Sequence, residues 1–365
     1  MMHEKSKLIK ITKEYSEKII SQLKKCFEPK GKIMMYKKFK SIKIAKEYSE
    51  KIISRLKEDF ESNLTVDSVN FTIVTTGSFA RCEASEASDL DCFIIIEGDY
   101  KDDKNFTDDN EKSTKEEFNT TMRDIVLKYI KKDAGSTGTF GIDAVVSISE
   151  LLTNMGGQND DNIQFSRRML FLLEGKSLFN DELFQKFRRS LIEKYIKETV
   201  SDHQLSRFFL NDIIRFYRTM ATDFEYKVSE DGKSWGVRNI KLTFSRKLLY
   251  FGGVITVAET AQKTRRTKIQ ETLTLLDMSP LERINYLAVS GSEKVFKSYD
   301  YFLEKLSNSQ IREELDKASV KQVPIDNPEV FREMKNESKH FSWALSSVLR
   351  NTYDDTHPIH HALVF

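Results

Sequence analysis

Asp89 and Asp91 stand one residue apart at the head of an apolar run, "DLDCFIII", ten residues after the pair Gly77–Ser78. On a strand both carboxylates point to one face, because side chains alternate with a period of two. Two like charges side by side repel, and folding alone gains nothing from the pair. A cation between them is expected. Gly77 closes a β-branched run, "FTIVTTG", and a glycine there lets the backbone approach a ligand closely. Backbone N–H groups and the Ser78 hydroxyl at such a turn suit phosphate oxygens. Carboxylates beside phosphates hold Mg²⁺, and two such ions can activate an attacking oxygen and neutralise a departing pyrophosphate. Together these residues describe in-line nucleotidyl transfer.

The pattern G-S-x10-D-x-D between apolar strands resembles the signature of the DNA polymerase beta-like nucleotidyltransferase superfamily. The longer string "GSFARCEASEASDLD" is similar to the branch that contains PII-uridylyltransferases and related bacterial nucleotidyltransferases. Those read G-[GS]-x-G-R-G-E and then Ser-Asp-x-Asp. Arg81, Glu83, Ser88, Asp89 and Asp91 match, while Ala80 and Cys82 replace two usual glycines. The resemblance implies an α+β fold with a polymerase-beta-like sheet, flanking helices and a C-terminal helical domain. It also implies Asp89 and Asp91 as metal ligands, with Gly77, Ser78, Arg81 and Ser88 around the nucleotide. Two Mg²⁺ ions are expected, with Mn²⁺ as the alternative, and ATP or UTP as the donor. A third carboxylate completes such sites. Asp143, in "TFGIDAVVSI", is the candidate for it, as metal ligand and as acceptor of the nucleophile's proton; Glu150 is the weaker substitute.

Two further groups of residues could reach a nucleotide. "NMGGQNDDNIQFSRRMLFLLEG" places a Gly156-Gly157 turn before a capped helix that carries Arg167 and Arg168; the same residues read equally as a capped helix with exposed arginines. Arg215 and Arg218, then Arg238, Lys241, Arg246 and Lys247, make the second group. Arg238, Lys241 and Ser245 fall three and four apart on one helical face. In the resembled superfamily a helical domain commonly brings cations to the triphosphate, which implies nucleotide binding by Arg238 and Lys241, with Trp235 as a stacking face. Ion pairing with Asp212, Asp223 and Glu225 is the competing account. "HPIHH" near the C-terminus has no cysteine at ligand spacing, and Cys82 and Cys92 have no histidine nearby in sequence to activate a thiolate.

The elements that would hold these residues follow from periodicity. "IKITKEYSEKIISQLKKCFE" (9–28) returns as "IKIAKEYSEKIISRLKEDFE" (42–61), identical at 16 of 20 positions. Tyr, Ile and Leu recur four apart in each copy, which predicts amphipathic helices. Two units are too few for a solenoid. Strands are predicted at 71–77, 89–96 and 138–148, an exposed acidic loop at 97–118, and long helices from about 150 to 340 with a break at "VPIDNP". The expected division is duplicated helices over 1–63, the catalytic domain over 64–155, a helical domain over 156–345 and an irregular tail over 346–365.

Net charge is only +2, yet residues 1–60 carry 17 Lys/Arg against 8 Asp/Glu, so any basic surface must be local. No apolar stretch approaches a membrane span and no secretion signal is expected. Three cysteines without pairing or zinc spacing suit a reducing cytoplasm. The resulting expectation is transfer of a nucleoside monophosphate to an acceptor hydroxyl, on a protein before an RNA 3′ end or a small molecule, with no membrane partner. The alternative is a catalytically inactive regulator of the same fold that binds nucleotide or a protein.

Overall fold

Whether a strand is central or peripheral can be read from how many of its residues are buried, and Phe71–Thr76 (β1) is buried at all six. A strand covered on both faces lies in the middle of a sheet. In the computed structural model β1 pairs antiparallel with Asp91–Ile96 (β2) on one side and with Lys176–Phe179 (β4) on the other. Val145–Ser147 (β3) pairs parallel with β2, giving the order β3-β2-β1-β4. The structure describes residues 38–64, 70–98, 119–131, 141, 144–202, 204–230, 232 and 234–364. The first repeat copy, most of the acidic loop and Asp143 lie outside the described residues.

Lys40–Asn63 (α1) is the second repeat copy, helical as its spacing predicts. Its buried Ile52, Ile53, Leu56 and Phe60 pack with Ile73, Ile94 and Leu178 of the strands. Met122, Ile125 and Val126, from a helical stretch at 119–127, close the same apolar cluster. Burying such side chains stabilises the fold by about 1.5–3 kcal/mol each. β1 passes at Gly77 into a single helical turn, Gly77–Ala80 (α2).

The helical region begins with Ile148–Leu152 (α3) and Asn162–Leu173 (α4). It continues through Asp181–Tyr195 (α5) and Arg207–Ser229 (α6). Trp235–Lys241 (α7) runs into a π-helical turn, Leu242–Arg246, and then into Lys247–Thr260 (α8). α8 is apolar on nearly every side, the signature of a helix at the centre of a bundle, and α6, Arg265–Asp277 (α9) and Pro280–Leu287 (α10) pack around it. Ser292–Ser307 (α11), Ser309–Asp316 (α12), Glu329–Thr352 (α13) and Pro358–Ala362 (α14) complete the chain. α11 bridges the two regions by packing on both α1 and α13. No helix among the described residues is long and apolar enough to cross a membrane.

The α+β class holds, and four local differences have identifiable causes. The second strand starts at Asp91, not Asp89, because its partner β1 ends opposite Asp91 at Thr76 and turns away at Gly77. β4 was not expected: "KSLF" is only four residues long and directly follows a helix. The helical pattern expected between about 150 and 340 is interrupted at Leu242–Arg246 by the π turn. The tail is ordered as α14, with Pro358 in its first turn and the His357 side chain accepting from the Ile359 N–H.

Candidate active site

Gly77 is the pivot of the site. Its φ is +69°, a left-handed conformation that costs other residues about 1 kcal/mol or more. A Cβ at this position would also overlap the Asp91 carboxylate. The glycine is thus required twice, for the turn and for the close approach of β2's first side chain. Its N–H donates to Glu174 Oε1 at 2.7 Å, so this donor is engaged by protein. The Ser78 side chain is half-buried and makes no hydrogen bond with a described residue.

Arg81 lies beneath the turn, only 5% exposed. It bonds Glu174 Oε2 at 2.6 Å and Glu83 Oε2 at 2.9 Å. Glu83 in turn accepts from the Tyr299 hydroxyl, which lies 3.3 Å from Ser245 Oγ. A buried chain of paired charges therefore ties the turn to α4, α11 and the π turn. Arg81, expected at the nucleotide, is committed to this support. Cys82, which stands where the resembled motif has a glycine, adopts φ +62°, the left-handed region that favours glycine. Ser88 is buried and caps a turn, its Oγ accepting from the Ser85 N–H at 3.0 Å and its own N–H donating to Ser85 O. That turn delivers Asp89.

Asp89 is exposed and Asp91 half-buried. Burial and then the charge of Asp89 push the Asp91 pKa up, against the pull of Arg246 and Arg81. Opposite them stand three cations from the helical region. Burial, with Arg312 and Arg246, lowers Lys241 to about 8 despite the attraction of Asp89. Burial and Arg81 lower Arg246 against Glu174 and Asp91. Burial lowers Arg312 against Asp89 and Asp316, and its guanidinium donates to Ala87 O at 3.4 Å. None of Asp89, Asp91, Lys241 and Arg246 forms an ion pair or side-chain hydrogen bond among the described residues, so opposite charges face one another unjoined.

The π turn explains how two of these cations converge. Five residues apart on an α-helix, Lys241 and Arg246 would diverge by about 140°. An i→i+5 turn brings such residues back towards one face. π turns of this kind occur often at functional sites.

The remaining sequence candidates distribute as follows. Lys241 lies in the field of Asp89, whereas Arg238, one turn earlier, is exposed and has no partner among the described residues. Asp143 is outside the described residues; its described neighbours Gly141 and Ala144 hydrogen-bond to β2 at Cys92 O and Ile94 N. Arg168 is fully buried against Asp160 and Tyr195, and Arg215 also bonds Asp160. Those arginines hold the Gly156 turn, whose N–H donates to Asp160. Trp235 packs on Phe331. His360 lies 3.1 Å from Tyr353 O, and among the described residues no three metal-capable side chains cluster. Glu174, Tyr299 and Arg312 were not anticipated. Glu174 left one signal, a lone acid closing the apolar run "MLFLLEG"; Arg312 left none.

Two carboxylates within each other's field, next to a turn of close backbone approach and facing cations without acid partners, would suit Mg²⁺ together with a phosphate-bearing ligand. That ion is commonly held by one or two carboxylates plus phosphate oxygens. Comparison with known proteins agrees. Residues 49–146 match the family model for a nucleotidyltransferase domain, a span covering the later part of α1, the turn, both aspartates and the start of β3. No curated protein matches the chain.

Proposed function

We propose that the chain transfers a nucleoside monophosphate from an NTP to an acceptor hydroxyl and releases pyrophosphate. The observation that carries this reading is the unjoined opposition of Asp89 and Asp91 to Lys241, Arg246 and Arg312 across the Gly77 turn. The family match over 49–146 supports nucleotidyl transfer in general.

Asp89 and Asp91 hold the metal, with Asp143, which lies outside the described residues, as the third carboxylate. Bound Mg²⁺ would supply charge neutralisation and lower the pKa of the attacking hydroxyl. Lys241, Arg246 and Arg312 receive the negative charge of the triphosphate. The acceptor oxygen forms a bond to the α-phosphorus, the bridging bond to the β-phosphate breaks, and the hydroxyl proton passes to Asp143. Arg81, Glu83 and Glu174 keep the turn in place without touching the nucleotide. Rate acceleration is then mostly positioning and electrostatics fixed before the reaction. The resemblance favours a protein hydroxyl as acceptor and ATP or UTP as donor.

The test is pyrophosphate release and label transfer from each of the four α-labelled NTPs, in a cell lysate with Mg²⁺ or Mn²⁺, beside Asp89→Ala/Asp91→Ala. Release by the parent chain alone supports the reading. Nucleotide binding without any release would replace it with a regulator.

A further inference from the structure

Asp91 and Arg246 are half-buried and lie in each other's field, yet they stay unjoined. Opposite charges withdrawn from water close into a pair unless the backbones that carry them are held apart. Both backbones end on one buried chain of hydrogen bonds. At one end is the Gly77 turn, with the Asp91 carboxylate beside the glycine. The Gly77 N–H donates to Glu174, Glu174 accepts from Arg81, and Arg81 also donates to Glu83. At the other end Ser245 directly precedes Arg246 in the π turn. The Tyr299 hydroxyl is the link between the two ends, bonded to Glu83 and lying 3.3 Å from Ser245 Oγ.

Packing, and not charge, sets where that hydroxyl sits. Tyr299 is fully buried, and its ring centroid lies 5.1 Å from that of Phe302 and 5.6 Å from that of Phe341. Phe244, which immediately precedes Ser245 in the π turn, stacks on the same two rings. Aromatic rings from α11, α13 and the π turn therefore fix the phenol oxygen, and a close-packed interior of this kind does not deform continuously. Arg81, whose charge repels Arg246, is held by the same chain of bonds. Each member is a spacer on one side of the gap, and Tyr299 is the member that reaches across.

We infer that Tyr299 is a positioning residue whose hydroxyl, spanning Glu83 and Ser245, keeps Arg246 from closing onto Asp91. The gap so held leaves the Asp91 carboxylate open to a metal ion and Arg246 open to phosphate. What the gap serves rests on the transfer reading above; the spacing itself concerns this chain alone. Without the hydroxyl, Glu83 keeps Arg81, the π turn loses its tie to the Gly77 turn, and Arg246 pairs with Asp91 in the metal's place.

The experiment is a double-mutant cycle of Asp91→Asn and Arg246→Gln, read by chemical denaturation of the full chain without metal or NTP. It is run once in the parent and once in Tyr299→Phe. The coupling between the two positions should be small in the parent, where the charges are unjoined, and larger in Tyr299→Phe, where they pair. Mn²⁺ binding, read from the electron paramagnetic resonance of the free ion, supplies the second readout. Tyr299→Phe should weaken it roughly 10- to 100-fold, the range for losing a group that orients a metal ligand. In an Arg246→Gln background the same substitution should leave it unchanged, which a merely structural role would not give. Tyr299→Phe keeps the ring and its packing; Ser245→Ala cuts the same link from the other end and takes its place if the first variant does not fold. Equal coupling in the two backgrounds overturns the inference. So does an equal loss of Mn²⁺ affinity with and without Arg246. If the parent binds no Mn²⁺ the transfer reading fails, and the coupling alone then decides the role of Tyr299.

Discussion

Two groups of opposed charges lie within a few residues of each other and are built on opposite principles. Around Arg81 every charge is joined: Glu174 and Glu83 meet the guanidinium at 2.6 and 2.9 Å, and Gly77 and Tyr299 occupy the remaining carboxylate oxygens. Around Asp91 the charges face one another without a bond. The first group satisfies its buried polar atoms, as stable interiors do. The second leaves Asp91 and Lys241 with shifted pKa values that burial and like charges impose, a condition characteristic of functional sites. A strong ion pair in this molecule therefore marks support, and an unjoined one marks the site.

The contrast can be broken most forcefully at Glu174. Glu174→Gln leaves Arg81 buried with one carboxylate fewer, and losing one partner of a buried pair costs about 3–5 kcal/mol. Chemical denaturation should show that loss even with NTP absent. Gly77→Ala should cost ~1–2 kcal/mol through its positive φ and also displace the Asp91 carboxylate, so kcat should fall in steady-state assays. Lys241→Met should lie on the other side of the comparison. Removing a half-buried charge already penalised by burial leaves the melting temperature unchanged or higher, while KM for the NTP rises roughly tenfold, about 1.4 kcal/mol.

The smallest effect is a pH dependence of the joined type. At Asp160 burial raises the pKa, but the bonds from Arg168, Gly156 and Arg215 outweigh it and the net shift is downward. A folded pKa below the unfolded one means this group's stabilisation is complete above the ordinary value of 3.8. It is lost as pH falls through the lowered one. Asp160→Asn, which also removes the buried partner of Arg168 and so lowers stability at neutral pH, should flatten the acid limb of a stability-versus-pH curve and leave neutral-pH binding of nucleotide to the folded chain unaltered.

Much of the fold was legible because it is local. Short β-branched and apolar runs mark β1 and β2, and the Tyr-Ile-Leu spacing marks α1. β4 escaped because four residues give no period, and the π turn because helix period and π interruption look alike in "IKLTFSRKLL". At the site, Asp89, Asp91, Gly77 and Lys241 were within reach of spacing arguments, and the structure brings them together. Glu174, Tyr299 and Arg312 were not, since each joins the turn from more than ninety residues away. Arg81 shows the complementary limit: a motif gives residue types at a spacing but does not say which charges are already joined. Asp143 lies outside the described residues and keeps the role proposed for it.

The most direct test is Asp91→Asn, measured at once for thermal stability and for pyrophosphate release with Mg²⁺. Because burial and Asp89 disfavour its charged form, the neutral variant should melt at the parent temperature or above it. Its release rate should fall by about 10²–10³-fold or more, the scale for deleting one preorganised charged group. A variant that loses stability yet keeps its turnover would contradict the account, because Asp91 would then belong with the joined charges.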